Sequence, residues 1–433
     1  MRYLIPFRSA YTPTLTLRAK KLAHHRGSMT QDKPTNPTKQ TPGAIVLGGN
    51  AIALGVVRSL GVQGIPVWVF DTSRSIAHFS KYTKRSVISQ RDKYDLLLEE
   101  GRKHSLNGWV IFPVEDQYVE LLSVHHRSLS GIYNVTTPPL DVTRFALDKR
   151  LTYRKAAELG IATPWTLVVD DPAELRLGDL PYPLILKPAV NHHFFPHTNV
   201  KALPVDRSSD FESQYASMSK HIPPDEILIQ ERIPGGGENQ FSFAALCKEG
   251  KAYASMVARR TRQYPLDFGT ASTFVETIEQ PVVETDGRKW LESVNFDGMA
   301  EVEFKFDPRD GRYKILDVNV RAWGWHTLGK AAGIDFSYLL WRQKVGLPIE
   351  PTQRRHGAAW VREINDVLAI AKSPQRGVEI KRLLKSTFRG ECTYSTFDIR
   401  DPFPMVAEVG LRALQIVSSS FVVNAYIEED LRI

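Results

Sequence analysis

The sequence predicts an α/β segment followed by an α+β segment of mostly antiparallel strands, with a helical C-terminal extension. Two observations carry this prediction. Up to about residue 140, apolar strand-like runs alternate with helical patterns, as in a βαβ unit. Beyond that point, short runs with period-two alternation follow one another as hairpins do, and helical patterns return only from Leu328. A chain of 433 residues is long enough for two or three domains of ordinary size.

The resulting division is a leader at 1–41, an α/β domain at 42–140, a strand-rich domain at 141–345 and a mainly helical region at 346–433. The leader carries eight Lys or Arg against one acid, Asp32, while the other 392 residues hold 48 basic and 47 acidic side chains. Seven of the eight net positive charges therefore belong to the leader, and a nucleic-acid-binding reading of the body loses its main support. Rich in Thr, Pro and Lys and without an apolar core, the leader reads as disordered. An organelle-targeting peptide, or sequence upstream of a start at Met29, are its alternatives. Cys247 and Cys392 make neither a disulfide framework nor a cysteine zinc site, which suits the cytoplasm. No apolar run approaches the ~18 residues of a membrane span.

The α/β domain opens with AIVLGGN (residues 44–50), a helical pattern through Leu60 and the strand IPVWVFD ending at Asp71. The glycines Gly48, Gly49 and Gly55 depart from the GxGxxG spacing. A dinucleotide site with Asp71 on a ribose is one reading, and close packing of helix on strand is the other. A third strand candidate, GWVIFPVEDQ, ends in Glu115 and Asp116, where parallel sheets present loops to ligands.

The second domain begins with a helix capped by Asp148, opened by Lys149 and closed by Gly160. Strand composition marks LILKP, which carries Lys187, and EILIQERI, which ends in Glu231, Arg232 and Ile233 before the loop PGGGE with Glu238. The run AEVEFKFDPRDGRYKILDVNVR reads as a hairpin about Asp310, with Glu303 opposite Asp317. Alternation puts Glu301, Glu303, Asp317, Asn319 and Arg321 on one face and Val302, Phe304, Phe306, Leu316 and Val318 on the other. Facing carboxylates about 5 Å apart repel unless a cation lies between them, and Glu, Asp and Asn oxygens suit Mg²⁺. A solvated strand face with incidental acids is the alternative.

In this order and at these separations the motifs resemble the ATP-grasp superfamily, over residues 43–345. The resemblance implies a Rossmann-like pre-grasp domain followed by an ATP-grasp fold, similar to biotin carboxylase and carbamoyl-phosphate synthetase. It implies ATP bound by Lys149 and Lys187 at the phosphates, by Glu231, Arg232 and Ile233 at the adenine, and by Glu238 at the ribose. It further implies Mg²⁺, with Mn²⁺ as a substitute, on Glu303, Asp317 and Asn319, and Arg321 at the transferring phosphoryl group. VRSLGVQGIPVWVFD, ARRTRQYP and NVRAWGWHTLGKAAGIDF look most like predicted bacterial carboxylate-amine ligases akin to D-aspartate ligase. That likeness places Arg260, Arg262 and Tyr264 at the acceptor end.

The expected activity is thus ATP-dependent joining of a small carboxylate to an amine through an acyl phosphate, with neither nucleic acid nor membrane as partner. A homo-oligomer is compatible with it. Two departures favour alternatives, an ATP-binding sensor or scaffold, or a small-molecule kinase. Asp317 stands where relatives have Glu, and NHHFFPHTN, after Lys187, has no glycine where a phosphate lid is Gly-rich. His192, His193 and His197 are candidate phosphate donors there, since a zinc site would lack Cys and acidic partners.

Overall fold

The structure, a computed structural model, describes residues 41–169, 175–264, 271–349, 356–388 and 392–414. All of the leader before Thr41 lies outside them. The first domain is a parallel sheet in the order β3-β2-β1-β4-β5, formed by β1 (Ala44–Leu47), β2 (Val67–Asp71), β3 (Thr83–Ile88), β4 (Val110–Pro113) and β5 (Asn134–Val135). Helices α1 (Ala51–Gly61), α2 (Lys93–His104), α3 (Asp116–Val124) and α4 (His126–Leu129) connect and flank these strands. The strand expected third is therefore fourth. TKRSVI leaves no mark in the sequence, because an edge strand with half its side chains in water has no apolar run to announce it.

The glycines serve packing. A Cβ on Gly55 would lie 2.5 Å from the His326 ring, and one on Gly49 would lie 2.5 Å from the Asp71 carboxylate. Asp71 is itself engaged by the Ser75 hydroxyl at 2.6 Å and the Thr72 amide at 2.7 Å. That carboxylate is satisfied within its own loop, so the dinucleotide reading gains nothing from the structure.

Helices α5 (Leu140–Leu147) and α6 (Lys149–Glu158) lead into a small sheet of β6 (Thr166–Leu167), β7 (Leu184–Pro188), β8 (Leu203–Val205) and β9 (Ile227–Glu231), with α7 (Asn191–Thr198) and α8 (Ser208–Ser219) beside it. The large sheet runs β14-β13-β10-β11-β12-β15-β16. Its strands are β10 (Gln240–Lys248), β11 (Lys251–Tyr264), β12 (Ala271–Ile278), β13 (Gly298–Asp307), β14 (Arg312–Asn319), β15 (Ala359–Val361) and β16 (Cys392–Tyr394). Helix α9 (Pro281–Ser293) covers one face, and α10 (Leu328–Ala331) and α11 (Phe336–Lys344) follow the hairpin. Helices α12 (Glu363–Lys372) and α13 (Arg376–Phe388) lie between β15 and β16 in sequence, so the C-terminal region supplies strands as well as helices.

Period two decides which core each side chain joins. Phe243, Ala245, Ala300, Val302 and Phe304 pack with Val283, Trp290 and Leu291 of α9. Their alternates Ala244, Leu246 and Met299 join a second core with Trp323, Trp325, α11 and the α1, β1 and β2 side chains of the first domain. Odd-numbered positions of β13 therefore face the first domain, which is the face that carries Glu301 and Glu303.

Candidate active site

The hairpin register is the expected one where it matters: Glu303 pairs with Asp317 and Glu301 with Asn319. A register shift lies just beyond, so Ile315, not Leu316, is opposite Phe304. Ile315 is fully buried, whereas Leu316 lines the cavity, a correction to strict alternation that a one-residue irregularity explains.

That cavity, about 460 Å³, lies between the two domains. Its wall includes Lys149 from the start of α6, Lys187 from β7, Arg260 from β11, Glu301 and Glu303 from β13, Asp317 and Asn319 from β14, and Arg321. Asp148 caps α6 through the Arg150 amide at 2.9 Å, which fixes Lys149 in the first helical position. Lys149 reaches Asp317 at 3.0 Å. Burial alone would lower the Lys149 pKa, but Asp317, together with Tyr153 and Asp116, offsets it and the ammonium is held above its ordinary range. Lys187 has the opposite fate: loss of hydration, and then the Lys149 charge, bring it down to about 7. Its Nζ donates to the Tyr153 phenol at 2.6 Å, and that phenol donates to the Leu316 carbonyl at 2.9 Å. Tyr153 thus positions Lys187 against β14.

The carboxylates are densely bridged. The Asn319 side-chain amide donates to Glu301 at 3.0 Å and to Glu303 at 2.8 Å, and Arg260 lies 3.5 Å from Glu303. Glu301 is 3% exposed, and its burial, reinforced by Glu303, raises its pKa to about 8. Arg321 donates to Asp116 at 2.6 Å, so the acid at the end of the parallel strand holds a guanidinium of the other domain. Burial would raise the Asp116 pKa, but Arg321 keeps it down to about 2. Trp323, Gly324, Trp325, Trp360 and Arg362 form another part of the wall.

Several expected residues lie elsewhere. Arg262 does not line the cavity: its guanidinium donates to both Asp366 oxygens, at 2.8 and 2.6 Å, and to Glu379 at 2.5 Å. The register of β11 against β12 shifts between Arg260 and Arg262, which turns the second arginine to the opposite face of the sheet. Tyr264 likewise accepts from Lys372 of α12 at 3.2 Å. Glu231 is tied to Lys314 at 2.9 Å, to Arg309 at 2.6 Å and to the Trp165 amide at 2.9 Å, an anchor of the hairpin turn. The Arg232 amide donates to the Pro183 carbonyl at 2.9 Å and its guanidinium to Asp206 at 2.6 Å, so that amide is already engaged. Ile233 is buried, and Glu238 is exposed, accepting from the Gly236 amide at 3.0 Å. None of these four lines the cavity.

Sequence reasoning missed Tyr153, the Asp116–Arg321 link and the indole wall, and it put Glu301 on the carboxylate face without giving it a role. Glu301 alone left a readable signal, its place two residues before Glu303 on the same strand face. The segment after Lys187 is helix α7, whose His192, His193 and His197, expected as phosphate donors, do not line the cavity, and an acidic partner exists there after all: Glu120 lies 2.9 Å from His192.

No family model matches the chain. It is 24% identical to the D-aspartate ligase of Enterococcus faecium over 301 residues, 64% of this chain and 70% of that one. Among solved structures it is similar to an L-amino acid ligase from Bacillus licheniformis, with a TM-score of 0.56, 17% identity and coverage of 72% of this chain and 76% of that one. A biotin carboxylase from Campylobacter jejuni in complex with β-γ-ATP gives a TM-score of 0.59 at 13% identity, over 73% of this chain and 74% of that one. An N5-carboxyaminoimidazole ribonucleotide synthetase from Thermus thermophilus gives 0.56 at 16%, over 73% and 82%. With the parallel domain, the small and large antiparallel sheets and the lysine and carboxylate strands in this order, the chain has the ATP-grasp fold.

Proposed function

We propose that this protein is an ATP-dependent ligase that joins a small carboxylate to an amine through an acyl phosphate. One observation carries the reading: Lys149, Lys187, Arg260 and Arg321 share a single cavity with Glu303, Asp317 and Asn319, although they come from separately folded elements. The D-aspartate ligase and L-amino acid ligase likenesses support it.

The residues present fit a hard divalent cation. Of the facing carboxylates on β13 and β14, Glu303 accepts from the Asn319 amide and Asp317 pairs with the Lys149 ammonium, and such oxygen donors demand positive partners. Glu303, Asp317 and Asn319 would hold Mg²⁺ or Mn²⁺, which when bound neutralises charge on the ATP phosphates. Every other step rests on the chain itself. Lys149 and Lys187 receive the phosphates, and the indole wall keeps water from the reacting groups. Arg321, fixed by Asp116, stabilises charge developing on the transferring phosphoryl group, and Arg260 orients the substrate carboxylate. A carboxylate oxygen attacks the γ-phosphorus and ADP leaves. The amine then attacks the acyl carbon, phosphate leaves with the bonding pair, and the amine loses a proton.

Free hydroxylamine intercepts an acyl phosphate. Incubation with ATP, Mg²⁺ and a panel of amino-acid and sugar-acid carboxylates should yield a hydroxamate with equal ADP and phosphate, lost in Arg321→Ala. A stable phosphorylated product would identify a kinase, and ATP binding without turnover across the panel a sensor.

A further inference from the structure

We propose that Glu120, His192 and His193 form a binding site for a transition-metal dication of the zinc class, joining α7 to α3 beside the phosphate end of the cavity. One ligand atom from each side chain lies within 4.8 Å of the other two. His192 Nε2 and the Glu120 carboxylate are already 2.9 Å apart. Tetrahedral zinc with bonds of about 2.0 Å to nitrogen and oxygen sets its ligands roughly 3.3 Å apart. Only side-chain rotation is needed to close the remaining gap, and Glu120 and His193 are exposed enough, at 43% and 41%, to rotate.

Two further contacts bear on ligation. The Glu226 carboxylate lies 2.8 Å from His193 Nδ1, and a carboxylate there favours the tautomer with the proton on Nδ1 and a lone pair on Nε2 for a metal. A carboxylate behind a histidine in this way raises the basicity of the imidazole and fixes its orientation toward a metal. His192 Nδ1 has no hydrogen-bond partner among the described residues, so the ring is held in polar terms only by Glu120, at the nitrogen that would ligate. Two imidazoles and one carboxylate select Zn²⁺, Co²⁺ or Ni²⁺ over Mg²⁺, which prefers oxygen. The ion that suits this cluster is therefore not the ion that suits Glu303 and Asp317.

The location gives the site a consequence. Glu120 is four residues beyond Asp116 on α3, hence on the same helical face as the acid that holds Arg321. His192 and His193 open α7, four residues after the strand that ends at Pro188 and carries Lys187. A metal bound here would staple α3, whose Asp116 holds Arg321, to α7, which follows the strand that carries Lys187.

The test uses the full chain, stripped with a chelator and exchanged into chelator-free buffer without nucleotide. Co²⁺ titration followed by visible absorption should show one equivalent bound, displaced by Zn²⁺ and indifferent to millimolar Mg²⁺. Glu120→Gln and His193→Asn should each weaken binding by 100-fold or more, and Glu226→Gln, which touches only the back of His193, by about 10- to 100-fold. All three should keep the wild-type circular dichroism and the thermal shift produced by ATP with Mg²⁺. A wild-type protein that binds neither ion below about 100 μM, or binding undiminished in Glu120→Gln and His193→Asn, overturns the proposal.

Discussion

Nucleotide affinity should fall as pH rises above 7, and Lys187 is the reason. Loss of hydration and the neighbouring Lys149 charge bring the Lys187 pKa down to about 7 in the free protein. Only its ammonium form can pair with a phosphate, so binding is at full strength below that value. Half of the population must take up a proton to bind at pH 7. Near pH 9 roughly one molecule in a hundred carries the charge beforehand, so the affinity should drop about 50-fold between pH 7 and 9, with the slope approaching about 10-fold per pH unit at the upper end. Lys149 stays charged throughout, because Asp317, together with Tyr153 and Asp116, holds it above its ordinary range. Calorimetry of ATP binding in two buffers of different ionisation enthalpy should report an uptake of about half a proton at pH 7. A chelator should be present, since Glu301, raised to about 8, would release protons on meeting a metal. Lys187→Met should bind weakly and without the pH slope. A wild-type affinity that is level from pH 6 to 9, or a slope that persists in Lys187→Met, would refute the assignment of Lys187 to the phosphates.

Asp317→Asn should remain folded and bind ATP while losing about 100-fold or more in ADP release, and full activity at ordinary Mg²⁺ would exclude it as a metal ligand. Asp317→Glu, which lengthens the arm to that of relatives, should retain more activity than the Asn variant in the same assay. Arg262→Ala should cost about 3–5 kcal/mol in urea unfolding, because it strands the buried carboxylate of Asp366 and removes one of the two arginine partners of Glu379. Arg260→Ala should unfold near the wild-type midpoint but turn over poorly, and equal losses of stability in the two would contradict their opposite faces. Gly55→Ala should lower stability by about 1–3 kcal/mol in thermal unfolding, since the new methyl meets His326 at 2.5 Å.

Local chemistry made part of this protein legible. Apolar runs of four or five residues located β1, β4, β7 and β9, the Asp148 cap located α6, and strict alternation set Glu303 against Asp317. Those features depend on neighbours within a few residues, which is the range over which a side-chain pattern constrains the backbone. Edge strands such as β3 and pairings that join distant segments such as β15 and β16 leave no such mark, because their partners lie elsewhere in the chain.

The site divides in the same way. Lys149, Lys187, Glu303, Asp317, Asn319 and Arg321 could be nominated from strand ends and spacing, and the cavity unites them. That Arg260 faces the cavity while Arg262 is buried against α12 could not be read, since a register shift between them reverses the alternation on which the pairing rested. The same holds for Asp116 gripping Arg321 across 205 residues and for Glu120 meeting His192 across 72. The sequence by itself determined which strands carry charge and on which edge. Only the tertiary structure decided which charges meet, because ion pairs between domains follow from how the sheets pack and not from any local periodicity.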